Sequence, residues 1–192
     1  MIARFLTRPR GAAAWTAEAV RLLGLLGVVA AFLWFSPGDA GIVSLSLLAL
    51  VVPRFAGVRP GFDIAFCLTV LVAAWSNVLD LYESLALWDL VVHFACTGLL
   101  AAMAYVVLAR LALTPAPFAE GTRRAAPVVL VTALGLALSA VWEMLEWIGR
   151  TFVAPDIFVT YQDTIGDMAA GGLGALAAGF IVSRVRLMSD PA

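Results

Sequence analysis

The chain has 192 residues, 63% of them hydrophobic and 13% charged, with a mean hydropathy of +1.01; so apolar a chain excludes a soluble globular domain and describes an integral membrane protein. The formal net charge is -1, lysine is absent, and all twelve cations are arginines, which form no basic stripe and so exclude nucleic-acid binding. The two cysteines, Cys67 and Cys96, fall in different apolar segments and give no disulfide framework.

The N-terminal stretch MIARFLTRPRGAAAWTAEAV carries the arginines of a signal-peptide start, but the apolar run after it reaches Phe35 and further spans follow, which predicts an uncleaved first helix. Apolar windows then fall at about 17–35, 40–52, 64–79, 88–111, 125–148 and 165–182. Most approach the ~20 residues that a bilayer core requires. The expectation is an all-α integral membrane protein, a six-helix transmembrane bundle forming one domain over residues 1–192. The second window is short, and Pro53 is expected to end it, with Pro53 to Pro60 forming a turn.

Charge sets the expected orientation. Six spans with both termini cytoplasmic put Arg4, Arg8, Arg10, Arg21, Arg54, Arg59, Arg110, Arg123, Arg124, Arg184 and Arg186 on or near the cytoplasmic side, and Arg150 alone outside. The positive-inside rule favours that split, and dropping the second span would move Arg54 and Arg59 out. The connections SPGDAG, DLYESLAL and RTFVAPDIFVTYQDT are then external, and none is long enough to be a second domain.

Ionisable side chains inside a span cost roughly 2.5 to 3.5 kcal/mol each on insertion scales and mark function by default. Here they cluster. The fourth span opens with Asp89 and His93, the only histidine; the fifth closes with Glu143 and Glu146 in WEMLEW; the sixth opens with Asp163 and Asp167. Each pair is spaced by three or four residues and shares one face of its helix. Counted from the helix ends at 1.5 Å per residue, Asp89, Glu146 and Asp163 form a shallow layer, and His93, Glu143 and Asp167 a layer roughly 5 to 6 Å deeper.

Five carboxylates this close cannot all stay ionised in a poorly hydrated place unless a cation neutralises them. A carboxylate-rich site with one imidazole suits Zn²⁺, Mg²⁺, Mn²⁺ or Ca²⁺. The metal ligands expected are His93, Glu143, Glu146 and Asp167, with Asp89, Glu143 and Asp163 as catalytic candidates and no organic cofactor. Cys96, three residues after His93, is at most an extra ligand. Asn77 and Asp80, at the end of the third span, are expected to extend the polar surface. In the sixth span Asp163, Asp167, Gly171, Ala175 and Gly179 recur every four residues, a small-residue stripe that permits close helix approach.

The stretches WDLVVHFACTGLL, WEMLEW and YQDTIGDMAAGGLGALAAG together resemble the YjdF-like inner-membrane proteins of the DUF2238 family and, more distantly, the VanZ-like membrane proteins, over about Trp88 to Val182. In those families an Asp and a His on one helix, a Glu on the next and a D-x-x-x-D before a Gly-rich helix recur, which maps onto Asp89, His93, Glu143, Asp163 and Asp167. Similar proteins often carry Asp or Asn where this chain has Gly171, so that a metal site here would be smaller. The resemblance implies a multi-pass protein of the bacterial inner membrane; the VanZ-like group is associated with glycopeptide resistance.

Three functions compete. A metal-dependent hydrolase or transferase would act on a lipid or other amphipathic substrate at the outer leaflet, with a carboxylate as general base to a bound water. A transporter or ion-coupled permease would use the same groups as a relay, but polar residues thin out toward the inner halves of these helices and no inverted repeat is visible. A non-catalytic module would use the cluster to tie helices together. Membrane lipids are the expected surroundings, with a lipid-like substrate under the first reading and a protein partner left open under the third.

Overall fold

A computed structural model describes residues 2–153 and 159–189. The helices are α1 (Ile2–Phe5), α2 (Ala12–Trp34), α3 (Pro37–Ala56), α4 (Pro60–Val78), α5 (Leu81–Ser84), α6 (Trp88–Arg110), α7 (Ala125–Phe152) and α8 (Tyr161–Val182). Among the described residues six of them, α2, α3, α4, α6, α7 and α8, are long and apolar enough to cross a membrane. Extended pairing among the described residues is confined to one isolated bridge, Val58 to Met188. Residues 154–158, part of the last expected external connection, lie outside the described set.

Four of the spans, α2, α3, α4 and α8, start three to five residues earlier than hydropathy alone places them, and in α3 and α8 a polar cap precedes the apolar run. Ser36 accepts a hydrogen bond from the Asp39 amide at 3.2 Å while Asp39 accepts one from the Ser36 amide at 3.1 Å, a reciprocal capping box that starts α3 at Pro37. Thr160 accepts from the Asp163 amide at 3.3 Å and starts α8 at Tyr161 instead of about 165.

The expectation that Pro53 ends the second span is corrected: α3 runs through Pro53 to Ala56. A proline deletes one helical N–H, yet such prolines persist in membrane helices where neighbours satisfy the freed backbone. In the turn before Pro53, the Leu50 carbonyl, next to the Ala49 carbonyl that the proline leaves without its helical donor, accepts from Arg21 Nε at 2.9 Å. The end of the helix is closed by the Gly57 amide on the Pro53 carbonyl at 2.9 Å, with Gly57 in the left-handed region. The turn is thus only Gly57 to Arg59, and the tail pairs with it through Arg59 N to Leu187 O (2.7 Å) and Ser189 N to Gly57 O (2.9 Å).

Contacts divide the chain into two compact units, Met1–Ala86 with Arg186–Ala192 and Leu87–Val185, a division that the expectation of one domain did not draw. In the first unit α2, α3 and α4 pack on one another around Ala31, Ala40, Val43 and Val78, with Val28 and Trp75 against them. Leu22, Leu23, Phe32 and Leu33 stay exposed, the apolar outer face that a lipid-embedded helix requires.

In the second unit α6 and α8 lie side by side, with α7 against both. Near neighbours along the chain show the directions: Leu90 meets Gly166 and, further along both helices, Gly98 meets Gly174, so α6 and α8 run parallel; Ser139 meets Gly171 and Gly135 meets Ala175, so α7 runs antiparallel to α8. The α6–α8 crossing is backbone on backbone. A Cβ at Gly98 would lie 2.7 Å from the Gly174 carbonyl oxygen, so only glycine permits this approach.

A candidate cation site

The starts of α6 and α8 and the end of α7 meet at one end of the second unit. Asp89 lies in the first turn of α6 and Asp163 in the first turn of α8, where the helix dipole favours carboxylates. Neither acts as the N-cap itself: Leu87 occupies that position in α6, and Thr160 does so in α8.

One turn on, His93 brings Nε2 to 3.4 Å from Asp89 Oδ1, and Asp167 enters from α8. One donor atom from each of Asp89, His93 and Asp167 lies within 4.8 Å of the other two. Ligand bonds of roughly 2.0 to 2.6 Å span such a separation. His93 is 8% exposed and Asp167 2%, while Asp89 remains half-buried and forms the mouth.

The inner trio expected was His93, Glu143 and Asp167; the trio assembled has Asp89 in place of Glu143. Side chains on a helix tilt toward its N-terminus. In the parallel α6 and α8 that tilt swings His93 and Asp167 back toward Asp89, whereas α7 runs the other way and Glu143 gains nothing from it. Glu143 is 4% exposed, and neither carboxylate oxygen receives a hydrogen bond. It faces the flank of the cluster, toward Thr164, His93, Asp163 and Asp89.

Glu146 is half-buried and accepts a hydrogen bond from Trp142 Nε1 at 2.7 Å, and Asp163 is likewise half-buried. Both belong to the rim. Cys96 is a free thiol outside the cluster. Asn77 and Asp80 are exposed and belong to the first unit.

Beneath the trio is a layer that the sequence did not reveal. A methyl group at Gly171 would stand 2.9 Å from both Thr97 Oγ1 and Ser139 Oγ, so an Asp or Asn side chain there would have to displace those hydroxyls. The polar groups absent from α8 are supplied by hydroxyls of α6 and α7. Thr97 is His93 plus four and Ser139 is Glu143 minus four, a spacing that would have signalled this layer. Ser139 Oγ is buried and makes no hydrogen bond. One turn deeper the helices close on alanine and glycine: a Cβ at Gly135 would meet those of Ala175 at 2.1 Å and Ala101 at 3.4 Å.

The first unit holds a second charged cluster that the sequence reading counted only as arginines near a membrane face. Arg21 donates to Glu18 at 3.0 Å and to Asp63 at 2.6 Å, and Arg54 pairs with Glu18 and donates to the carbonyls of Phe5 (2.8 Å) and Thr7 (2.9 Å). Two acids meet two bases. The signal was Glu18 and Arg21 at i, i+3 within an apolar helix. The cluster in the second unit has no such balance: among the described residues, one of its five carboxylates, Asp89, lies within ion-pair distance of a base, His93 at 3.4 Å.

The DUF2238 profile, described as a predicted membrane protein, matches residues 18–187. The chain belongs to the DUF2238 family. That match fits the YjdF-like expectation and extends it from the second unit across the first; the VanZ-like likeness stays an expectation of the sequence. Neither the curated proteins nor the solved structures contain a match to this DUF2238 chain.

Proposed function

We propose that this multi-pass membrane protein binds a divalent cation at Asp89, His93 and Asp167 and uses it in hydrolysis or group transfer on a lipid or other amphipathic substrate. One observation carries the reading: five carboxylates converge on one histidine, none of them ion-paired with an arginine among the described residues, and Asp89, His93 and the buried Asp167 each bring a donor atom within 4.8 Å of the other two. An anion buried without a partner costs several kcal/mol, and a cation removes that cost. Two carboxylates and an imidazole are a donor set for a borderline ion such as Zn²⁺ or Mn²⁺.

A bound ion would supply Lewis-acid polarisation and an acidified water. Asp89, His93 and Asp167 hold the donor positions, Glu143 lies beside them as the group that takes a proton from the attacking water, and half-buried Asp89 leaves the mouth open to substrate. The rim of Glu146 and Asp163 sits at helix ends, the depth at which a lipid headgroup meets a bundle.

The tightly packed layer of Ala101, Gly135 and Ala175 under Thr97 and Ser139 speaks against a permeation path through this unit. The balanced ion pairs of the first unit show what a helix-tying cluster looks like in this chain, and the acidic cluster differs from it in setting five carboxylates around one base, His93, among the described residues.

The orientation proposed is the arginine-rich ends inside, in a bacterial inner membrane, with the cation site facing out. Reporter fusions at Asp39 and Ala119 test it: activity of an external reporter at Asp39 and of a cytoplasmic one at Ala119 is expected, and the reverse pattern would overturn the orientation. Metal analysis of detergent-purified protein tests the site. The wild type is expected to retain close to one divalent ion per chain and Asp167→Asn and His93→Ala to lose it while keeping the helical signal; equal retention by the variants refutes the reading.

A further inference from the structure

At the end of the second unit opposite the cation site, α7 begins and α8 ends. A groove of about 280 Å³ lies between them, lined by Arg124, Val128, Val129, Phe180, Ser183 and Arg184. The separation from the acidic cluster is large: Glu143 and Ala126 are seventeen residues apart on α7, roughly 25 Å of helix.

Three features define what fits it. Arg124 and Arg184 are both exposed and flank the groove, and no carboxylate lines it. Arg184 is held in place, with NH1 donating to the Phe180 carbonyl at 3.1 Å and the guanidinium stacked 5.4 Å from the Phe180 ring centroid. Below the arginines the wall is apolar and open to lipid, with Val129 65% and Phe180 46% exposed. Its floor is closed by the approach of Gly179 to the Val128 backbone.

We infer that this groove binds an anionic phospholipid, its phosphate between Arg124 and Arg184 and an acyl chain along Val129 and Phe180. Two guanidiniums match phosphate oxygens in geometry as well as charge, and a cationic pocket between helices at a membrane face is a recurrent form of headgroup recognition. A free phosphate would satisfy the arginines and leave the apolar wall unused; the lipid satisfies both. The site is independent of the proposed chemistry at the other end of the bundle.

Native mass spectrometry of the delipidated full chain in detergent tests the inference, with dioleoylphosphatidylglycerol, dioleoylphosphatidylcholine and inorganic phosphate as probes. The wild type is expected to retain phosphatidylglycerol in preference to phosphatidylcholine, and the double variant Arg124→Gln/Arg184→Gln to bind it about thirtyfold more weakly. Arg124→Gln alone is expected to weaken binding severalfold without touching the Phe180 contacts, and Arg184→Lys, which keeps the charge but loses the guanidinium fork and its place over Phe180, to weaken it less than Arg184→Gln. Metal content should stay unchanged in all of them. Equal retention of the two lipids, an unchanged affinity in Arg124→Gln and in the double variant, or binding of inorganic phosphate without phosphatidylglycerol would each overturn it.

Discussion

Gly174→Ala is expected to cost the cation site its geometry through a contact that no ligand residue makes. The Cβ that alanine adds would lie 1.9 Å from the Phe94 carbonyl oxygen and 2.7 Å from its carbon, both backbone atoms of α6. An ordinary C···O approach is about 3.3 Å, so α6 and α8 must part by roughly 1.4 Å or bear the strain. Phe94 follows His93 in sequence, and the trio spans this crossing, with Asp89 and His93 on α6 and Asp167 on α8. Donors already up to 4.8 Å apart would then lie beyond the reach of one ion with bonds of roughly 2.0 to 2.6 Å. Overpacking costs about 1 to 3 kcal/mol, and a clash with backbone belongs at the upper end. Because the bound state requires the closed crossing, that strain appears as a loss of metal affinity of up to about a hundredfold. Titration calorimetry of purified protein with Zn²⁺ or Mn²⁺ measures it, beside Gly166→Ala, where the new methyl would make only an ordinary 3.5 Å contact with Leu90. Wild-type affinity in a folded Gly174→Ala protein would refute the reasoning, as would an equal loss in Gly166→Ala.

In the first unit, Arg21→Met or Asp63→Leu alone leaves a charge uncompensated among α2, α3 and α4, and each is expected to destabilise by about 3 to 5 kcal/mol; the double variant should be far less damaged than the sum, and strict additivity in a thermal-unfolding cycle would show that the pair does not interact. Glu143→Gln is expected to lower turnover on a lipid ester much more than metal retention, since Glu143 stands beside the trio instead of within it; metal loss as complete as in Asp167→Asn would instead make it a ligand. Glu146→Ala, at the half-buried rim and held by Trp142, should change metal retention less than His93→Ala, and the opposite order on metal analysis would contradict the assignment of the rim.

The spans were legible because a bilayer demands long apolar helices, and six such windows appear in the sequence with little competition. Their ends were less so. Hydropathy stops at polar residues, whereas Ser36 with Asp39, and Thr160 with Asp163, use polarity to begin a helix. Pro53 was misread because a membrane helix tolerates a proline that would end a soluble one, and α3 carries on to its left-handed stop at Gly57. At the site, helical spacing correctly grouped the ionisable pairs on single faces and at one end of three helices. It could not give side-chain tilt, which puts Asp89 and not Glu143 beside His93 and Asp167. Ser139 stood out in the sequence only as one of the few polar residues deeper in the helices, and its pairing with Thr97 was not legible because only the register of three packed helices aligns the two hydroxyls on Gly171.

The central claim is that three named donors close on one ion. Crystals grown with Mn²⁺ or Zn²⁺ and measured at the metal's absorption edge test it most directly. The account predicts a single strong anomalous peak in the second unit, roughly 2.0 to 2.6 Å from an Asp89 oxygen, a His93 nitrogen and an Asp167 oxygen. A site empty at saturating metal, or a peak held by other residues while these three point apart, would contradict it.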